Sequence, residues 1–221
     1  IFIVMALTDA KLKARGGITA FVVEKGAPGL SIGNHHHTMG MRGSQKSEVI
    51  FTDTPVPEEN IIGPVGGGFT IALNTIDDGR LGIAAGSVGM ADKLFELCAE
   101  YAQNTVYNSK PLSTRQAIQW HLADMATEIY AGRTMLYTTA ARLDKGDVLP
   151  MEVAMCKMFC SEMVNRNVER ALEIFGSEGY AGKSQVERIC RDARIFKIYE
   201  GTAEIHRIII SRSLLRGNRP F

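Results

Sequence analysis

The segment at residues 198–207, IYEGTAEIHR, holds the acidic residue best placed for chemistry. Glu200 stands between an aromatic residue, Tyr199, and Gly201, and a helix is predicted to begin just after it. Glycine lets a ligand approach the backbone closely, and a carboxylate removed from water has a raised pKa that makes it a usable general base. A carboxylate at a helix N-terminus also interacts favourably with the helix dipole, so a structural role is the alternative.

A second group of charged residues lies on the first long predicted helix. Asp77, Asp78 and Arg80 fall within one helical turn, below a stretch of apolar residues. Such a turn can present charge to a ligand, but an arginine on a helix is more often solvated surface charge. Both roles stay open for this turn.

Three other patterns have simpler structural explanations. The histidines at 35–37 are consecutive and cannot share one face of a strand, so we interpret them as a solvated loop and predict no metal site. Cys156 and Cys160 are four residues apart on an apolar helical stripe, which predicts core packing. The glycines at 66–68 lack the Lys-Ser/Thr pair of a phosphate-binding loop, which favours a flexible hinge between two halves of the chain.

The first part of the chain is predicted to form strands. β-Branched and aromatic residues cluster in short runs, and glycine and proline punctuate the gaps between them. The predicted strands are residues 1–7, 18–24 and 47–53. They indicate an antiparallel β unit over residues 1–65.

From residue 66 onward the hydrophobic period becomes helical. Apolar residues recur at three- and four-residue spacing, and two of the stretches end near Gly146 and Gly176. The stretches cover residues 76–102, 118–143, 153–175, 187–199 and 205–215. Four or five helices with short connections predict an antiparallel bundle over residues 66–221, so the fold class is α+β and mainly α.

The composition excludes several classes of protein. The chain has 221 residues, 45% of them hydrophobic, and a formal net charge of +1, which argues against a dedicated nucleic-acid-binding protein. No apolar run reaches the roughly 18 residues that a membrane span needs, and four cysteines do not indicate a disulfide framework. The chain opens on Ile1 inside a predicted strand, so we expect further residues upstream.

Four motifs together resemble the acyl-CoA dehydrogenase family. They occur in the family's order and span nearly the whole chain, at residues 39–69, 117–133, 175–195 and 191–212. The resemblance implies the second half of a middle antiparallel β-barrel domain followed by a complete C-terminal four-helix bundle. The family's helical N-terminal domain would lie upstream of Ile1.

The resemblance also implies a reaction, the α,β-dehydrogenation of an acyl-CoA thioester. In that reaction a carboxylate removes the α-proton while the β-hydrogen leaves as hydride to the flavin of FAD. Glu200 matches the catalytic base of the short- and medium-chain branch, and Gly79 stands where other branches carry the base. The Glu200 backbone N–H would help to polarise the thioester carbonyl, and Tyr199 and Gly201 would border the substrate.

Further residues match binding positions of relatives. Asp77 and Arg80 match contacts to coenzyme A. The positions expected to hold FAD are Thr202, Glu204, Gly176 and Gly179. The resemblance implies electron-transfer flavoprotein as a partner, a homodimer or homotetramer, and a location in the cytoplasm or the mitochondrial matrix.

The chain departs from the family pattern at the FAD phosphates and adenine. Thr105 stands where an arginine from a neighbouring subunit is expected, Asn108-Ser109 replaces Phe-Gly, and Glu173 replaces a glutamine near the adenine. Losing an arginine–phosphate contact weakens dinucleotide binding. Because half of the flavin envelope is expected to lie upstream of Ile1, the isolated 221 residues are expected to retain little or no FAD. The alternative function is a non-redox domain that binds CoA thioesters or assembles with partner subunits.

Overall fold

A computed structural model describes residues 1–219, which fall into two compact units. The first consists of residues 1–38 and 42–78, and the second of residues 39–41 and the chain from residue 79 onward. The predicted boundary between residues 65 and 66 stays a prediction.

The first unit is built on antiparallel strands, as predicted. Strand β1 (Phe2–Leu7) pairs with β2 (Ile18–Val23), in a register that sets Phe2 opposite Val23, and a short helical turn, α1 (Ala14–Gly17), connects them. Strand β2 also pairs with β5 (Ile61–Ile62). The remaining two strands, β3 (Leu30–His35) and β4 (Ser47–Phe51), form a separate antiparallel pair.

Two predictions for this unit were wrong. Residues 30–35 form a strand that the sequence pattern did not predict, and His35 ends it, with its Nδ1 2.5 Å from Ser47 Oγ, instead of lying in a loop. The glycines at 66–68 do not form a free hinge, because the Gly66 N–H donates to Thr19 Oγ1 at 2.9 Å and Gly67 forms a bridge with Ile18. There is no room for side chains here, because an added Cβ would lie 2.4 Å from the Gly16 carbonyl oxygen at Gly66 and 2.7 Å from the Ala20 backbone nitrogen at Gly68.

The rest of the chain is mainly helical, and every predicted helical stretch contains a helix. The long helices are α2 (Gly68–Asn104), α3 (Gln116–Leu143), α4 (Pro150–Phe175) and α7 (Ala203–Leu215). The short helices α5 (Ser177–Tyr180) and α6 (Gln185–Ala193) lie between α4 and α7, and a small hairpin, β6 (Val106–Tyr107) and β7 (Lys110–Pro111), follows α2. Helix α4 begins with proline and ends at Gly176, whose φ of +57° favours glycine.

The helical unit packs around α4, which contacts α3, α6 and α7. Cys156 and Cys160 are free and buried in its core, which confirms their predicted role. The buried core residues of the long helices α2, α3 and α4 are Ala84, Val88, Ala91, Leu94, Cys98, Met125, Ile129, Leu136, Cys156, Cys160, Met163, Val164, Val168, Ala171 and Ile174. The segment at 39–41 belongs to this unit because the Met41 N–H donates to Asp192 Oδ1 at 2.5 Å.

A charged cluster joins α3 to α4 beside this core. The carboxylate of Glu128 accepts hydrogen bonds at 2.8 Å from both Arg166 and Arg170. Burial acts to raise the Glu128 pKa, but the hydrogen bonds from Arg170 and Arg166 outweigh it and lower the pKa below its ordinary value. The cluster therefore fixes α3 against α4 with charged groups that are satisfied.

Among residues 1–219, no helix is both long enough and apolar enough to cross a membrane.

Candidate functional site

The turn between α6 and α7 carries Glu200 in an unusual backbone conformation. Glu200 has φ of +55° and Gly201 has φ of +93°, so two consecutive residues adopt left-handed conformations. A left-handed residue other than glycine costs of order 1 kcal/mol or more and persists only where its surroundings hold it. Tyr199 supports the turn from one side, with its ring stacked on Phe196 at a centroid distance of 5.6 Å.

Helix α2 approaches this turn from another side. Arg80 is only 9% exposed, and its Nε donates to the backbone carbonyl of Glu200 at 3.1 Å. The preceding residue is Gly79, where an added Cβ would lie 3.0 Å from Glu200 Oε2. The Glu200 carboxylate therefore lies over a part of α2 that has no side chain. Asp77, three residues before Arg80 on α2, is half-buried.

Two buried residues at this turn were missed by the sequence interpretation. Lys157, on α4, is fully buried and its Nζ donates to the carbonyl of Gly201 at 2.6 Å. His206, on α7, is also fully buried, and an added Cβ at Gly201 would lie 3.4 Å from its Nε2. The helical period did contain a signal, because Lys157 falls on the buried stripe between Ala154 and Cys160.

The buried groups at this turn have displaced pKa values. Burial lowers the pKa of His206 from 6.5 to about 4, and the positive charges of Lys157 and then Arg80 act in the same direction. The Gly201 backbone is close to the ring, yet neither ring nitrogen makes a well-formed hydrogen bond to an atom of the described chain. Burial and then the Glu200 charge raise the pKa of Tyr199 to about 12. His206 is therefore neutral near pH 7, and Tyr199 keeps its proton.

The displaced pKa of His206 predicts a pH-dependent stability. Because the folded pKa lies below the unfolded one, the contribution of His206 is complete above pH 6.5 and is lost as the pH falls through about 4. The variant His206→Gln has no imidazole at this position and does not undergo this loss. Between about pH 7 and about pH 5, the free energy of unfolding of the wild type should therefore fall by about 2 kcal/mol relative to that of the variant. Urea unfolding at each pH measures this, with the exposed His36→Gln as control. Parallel pH curves for wild type and His206→Gln would contradict the prediction.

The start of α7 follows the turn directly. Thr202 occupies the N-cap position, and Glu204 lies in the first turn of the helix and is exposed. Hydrogen bonds from its own backbone and from the Thr202 hydroxyl lower the Glu204 pKa below its ordinary value. The turn thus offers a hydroxyl and backbone N–H groups at a helix N-terminus, next to a carboxylate held by α2. Within the described residues, no group of His, Cys, Asp and Glu side chains has the arrangement of a metal site.

Comparison with known proteins identifies the family of this helical unit. The family model described as acyl-CoA dehydrogenase, C-terminal domain, matches residues 66–215. The chain belongs to the acyl-CoA dehydrogenase family.

Similar proteins extend this match over nearly the whole chain. Acryloyl-CoA reductase (NADH) from Anaerotignum propionicum is 40% identical over 216 residues, which are 98% of this chain and 55% of that protein. The mitochondrial short-chain specific acyl-CoA dehydrogenase of Homo sapiens is 39% identical over 217 residues, 98% of this chain and 52% of that protein. The structure of butyryl-CoA dehydrogenase from Megasphaera elsdenii matches with a TM-score of 0.93 and 39% identity, over 97% of this chain and 56% of that one. The chain therefore spans about half the length of the curated relatives it matches.

The residues interpreted as departures from the acyl-CoA dehydrogenase pattern lie away from Glu200. Thr105 follows the end of α2, and Asn108 and Ser109 form the tip of the β6–β7 hairpin with φ of +50° and +60°. Two positive φ values are typical of a type I′ turn, which asparagine and glycine favour. Glu173, near the end of α4, has a partner, because its Oε2 lies 2.9 Å from His121 Nε2.

The last two predicted FAD residues also lie at this end of α4. Gly176 is exposed directly after the helix, and Gly179 is buried in α5 against Phe175. Lys157, which contacts the Glu200 turn, is 18 residues before the end of α4 at Phe175, a distance of about 27 Å along a helix. Within the helical unit, the predicted site residues of this acyl-CoA dehydrogenase family member therefore form two groups, one around Glu200 and one at the far end of α4.

Proposed function

We propose that the protein containing this chain dehydrogenates an acyl-CoA thioester between its α- and β-carbons, or catalyses the reverse reduction of an enoyl-CoA. The observation that carries this proposal is the Glu200 carboxylate, which is held on a left-handed turn over the side-chain-free surface at Gly79. A general base needs access to the proton it removes and a fixed position relative to it. The turn supplies the position, and Gly79 leaves space beside the carboxylate.

Glu200 takes the α-proton of the thioester onto a carboxylate oxygen. Its backbone N–H, in the same turn, is proposed to donate to the thioester carbonyl and to stabilise the negative charge that develops on that oxygen. Arg80 contributes by holding the Glu200 carbonyl. Tyr199 and Gly201 are proposed to border the acyl group, and Asp77 and Arg80 to contact coenzyme A.

The chemistry of the donors at the start of α7 fits the oxygen- and nitrogen-rich edge of a flavin. The first N–H groups of α7 would donate to that edge, and the Thr202 hydroxyl, which donates its proton to Glu204, would accept a hydrogen bond from it. FAD, when bound, supplies the acceptor for the hydride that leaves the β-carbon. The residues of this chain supply the accompanying step, which is removal of the proton from the α-carbon.

Gly176 and Gly179 are proposed to contact the adenine part of FAD. Their distance from the Glu200 turn along α4 fits an arrangement in which each FAD is shared between neighbouring subunits, so we propose a homodimer or homotetramer. Electron-transfer flavoprotein is the proposed redox partner. The cytoplasm or the mitochondrial matrix is the proposed location, because relatives include bacterial proteins and one named as mitochondrial.

Anaerobic titration of the full-length flavoprotein tests this proposal. A series of saturated acyl-CoA thioesters of increasing length is added, and the absorbance of the bound flavin is followed. The expected result is bleaching by at least one thioester and recovery of absorbance on adding the corresponding enoyl-CoA. Bound flavin that responds to neither class of thioester would overturn the proposal.

The departures at Thr105, Asn108, Ser109 and Glu173 motivate the alternative, a non-redox domain that binds CoA thioesters or assembles subunits. The Glu173 carboxylate weakens this motivation, because it already has a partner within this chain, His121 Nε2 at 2.9 Å. Calorimetry separates the two functions: thioester binding by a purified full-length protein that takes up no FAD would favour the alternative.

A further inference from the structure

Lys157 is a buried cation whose position the proposed reaction does not yet explain. It is fully buried on α4, on the same stripe as the core residues Ala154 and Cys160. Burying an ammonium group costs several kcal/mol unless hydrogen bonds and nearby charges compensate it. Within residues 1–219 its hydrogen bond runs to the carbonyl of Gly201, at 2.6 Å. Because burial of this ammonium group next to Glu200 costs free energy, Lys157 is expected to have a specific role there.

The Glu200–Gly201 turn that Lys157 contacts depends on side chains from other helices to hold its two carbonyls. Glu200 and Gly201 both have positive φ, which regular helices and strands do not use, and no backbone N–H of the described residues outside the regular helices and strands donates to either carbonyl. Each carbonyl instead accepts from a buried cation on a different helix: Glu200 O from Arg80 on α2, and Gly201 O from Lys157 on α4. Two consecutive carbonyls are thereby fixed to two elements of the bundle.

We propose that Lys157 is a positioning residue for Glu200: by donating to Gly201 O it holds the left-handed turn that keeps the Glu200 carboxylate over Gly79. The effect on catalysis rests on the proposed function, whereas the effect on the turn does not. Arg80 alone would fix one carbonyl and leave the peptide after it free to rotate. With both cations in place, the backbone from which the Glu200 side chain projects is fixed by the packing of α2 and α4.

The charges around the turn are compatible with this role. Burial, and then the positive charge of Arg80, lower the pKa of Lys157 from 10.5 to about 8, and the negative charge of Glu200 opposes them. His206 packs against Gly201 as a neutral ring and adds no third charge. An amine donates a hydrogen bond in both its charged and its neutral form, so the contact to Gly201 O survives deprotonation.

Lys157→Met removes the donor while keeping a side chain of similar length. Methionine avoids the cost of burying an ammonium group but leaves Gly201 O without this donor, so the variant is expected to fold with a lower stability. The matched control is Ser161→Ala, which removes a fully buried polar group from the same helix, four residues further on. Lys157→Gln is the second variant, for use if Lys157→Met does not fold; its amide ends one bond earlier and cannot reach Gly201 O.

The test has a structural and a kinetic readout, both on the holoenzyme. In crystal structures of the Lys157 variants we expect the Glu200–Gly201 turn to leave its left-handed conformation and the carboxylate to move away from Gly79, whereas Ser161→Ala keeps both. In rapid-mixing experiments we expect the rate of flavin reduction by acyl-CoA to fall about ten-fold or more, while the Kd of a thioester analogue that cannot be dehydrogenated changes by less than about three-fold.

An unchanged turn in a folded Lys157 variant would overturn the proposal, whatever the activity. A moved turn with an unchanged reduction rate would overturn the positioning role. If the wild-type flavin is not reduced by any acyl-CoA, the proposed function fails, and the structures alone still decide whether Lys157 holds the turn.

Discussion

Glu200→Gln in the full-length flavoprotein is expected to lower the rate of flavin reduction by acyl-CoA by about 10³-fold. Glutamine keeps the size of the side chain and its place over Gly79 but cannot accept the α-proton. The turn itself should persist, because the backbone carbonyls at 200 and 201 still accept from Arg80 and Lys157. Rapid mixing with a saturated acyl-CoA measures the reduction rate, and thermal unfolding checks that the fold is unchanged.

Glu96→Gln is the matched control, since it makes the same change of residue type at an exposed position of α2, where the carboxylate pairs with Lys93. It is expected to reduce flavin within a few-fold of the wild-type rate. A Glu200→Gln protein that reduces flavin at the wild-type rate would remove Glu200 from the role of base. Equal losses in both variants would point to a general disturbance of the helical unit.

Gly79→Val is expected to lower the same rate by about 10²-fold without a comparable loss of stability. A Cβ at this position would already lie 3.0 Å from Glu200 Oε2, and the two methyl groups of valine extend further into the space of the carboxylate. The Glu200 side chain must therefore move, and a base displaced by about 1 Å loses much of its effect. The measurement is again the rate of flavin reduction, compared with the free energy of unfolding.

Gly82→Val separates this steric effect from the lower helix propensity of valine. Gly82 lies three residues further along α2, where nothing stands within 4 Å of an added Cβ. Both variants carry the same change of residue type in the same helix, so the difference between them isolates the collision with Glu200. Similar rates in the two variants would show that the Glu200 carboxylate does not occupy the space over Gly79 during the reaction.

Local patterns in the sequence were sufficient for most of the secondary structure. The long helices could be predicted because apolar residues recur with the helical period, and helix α4 ends where a glycine adopts positive φ. Strand β3 could not be predicted, because Gly33, Asn34 and His35 have low strand propensity and the strand depends on pairing with β4. The hinge predicted at residues 66–68 was wrong for a similar reason, since the close approach of these glycines to β2 has no local signal.

The sequence by itself determined the long helices, three of the antiparallel strands and Glu200 as the candidate base, because each depends on residues that are near neighbours in the chain. It also determined the family resemblance, because four motifs occur in the family's order. Only the tertiary structure decided what holds Glu200. Arg80 and Lys157 reach its turn from 120 and 44 residues away, and His206 becomes neutral there because it is buried beside them. Such contacts depend on how α2, α4 and α7 pack together. A helical stripe shows that a residue is buried, but not which carbonyl it meets.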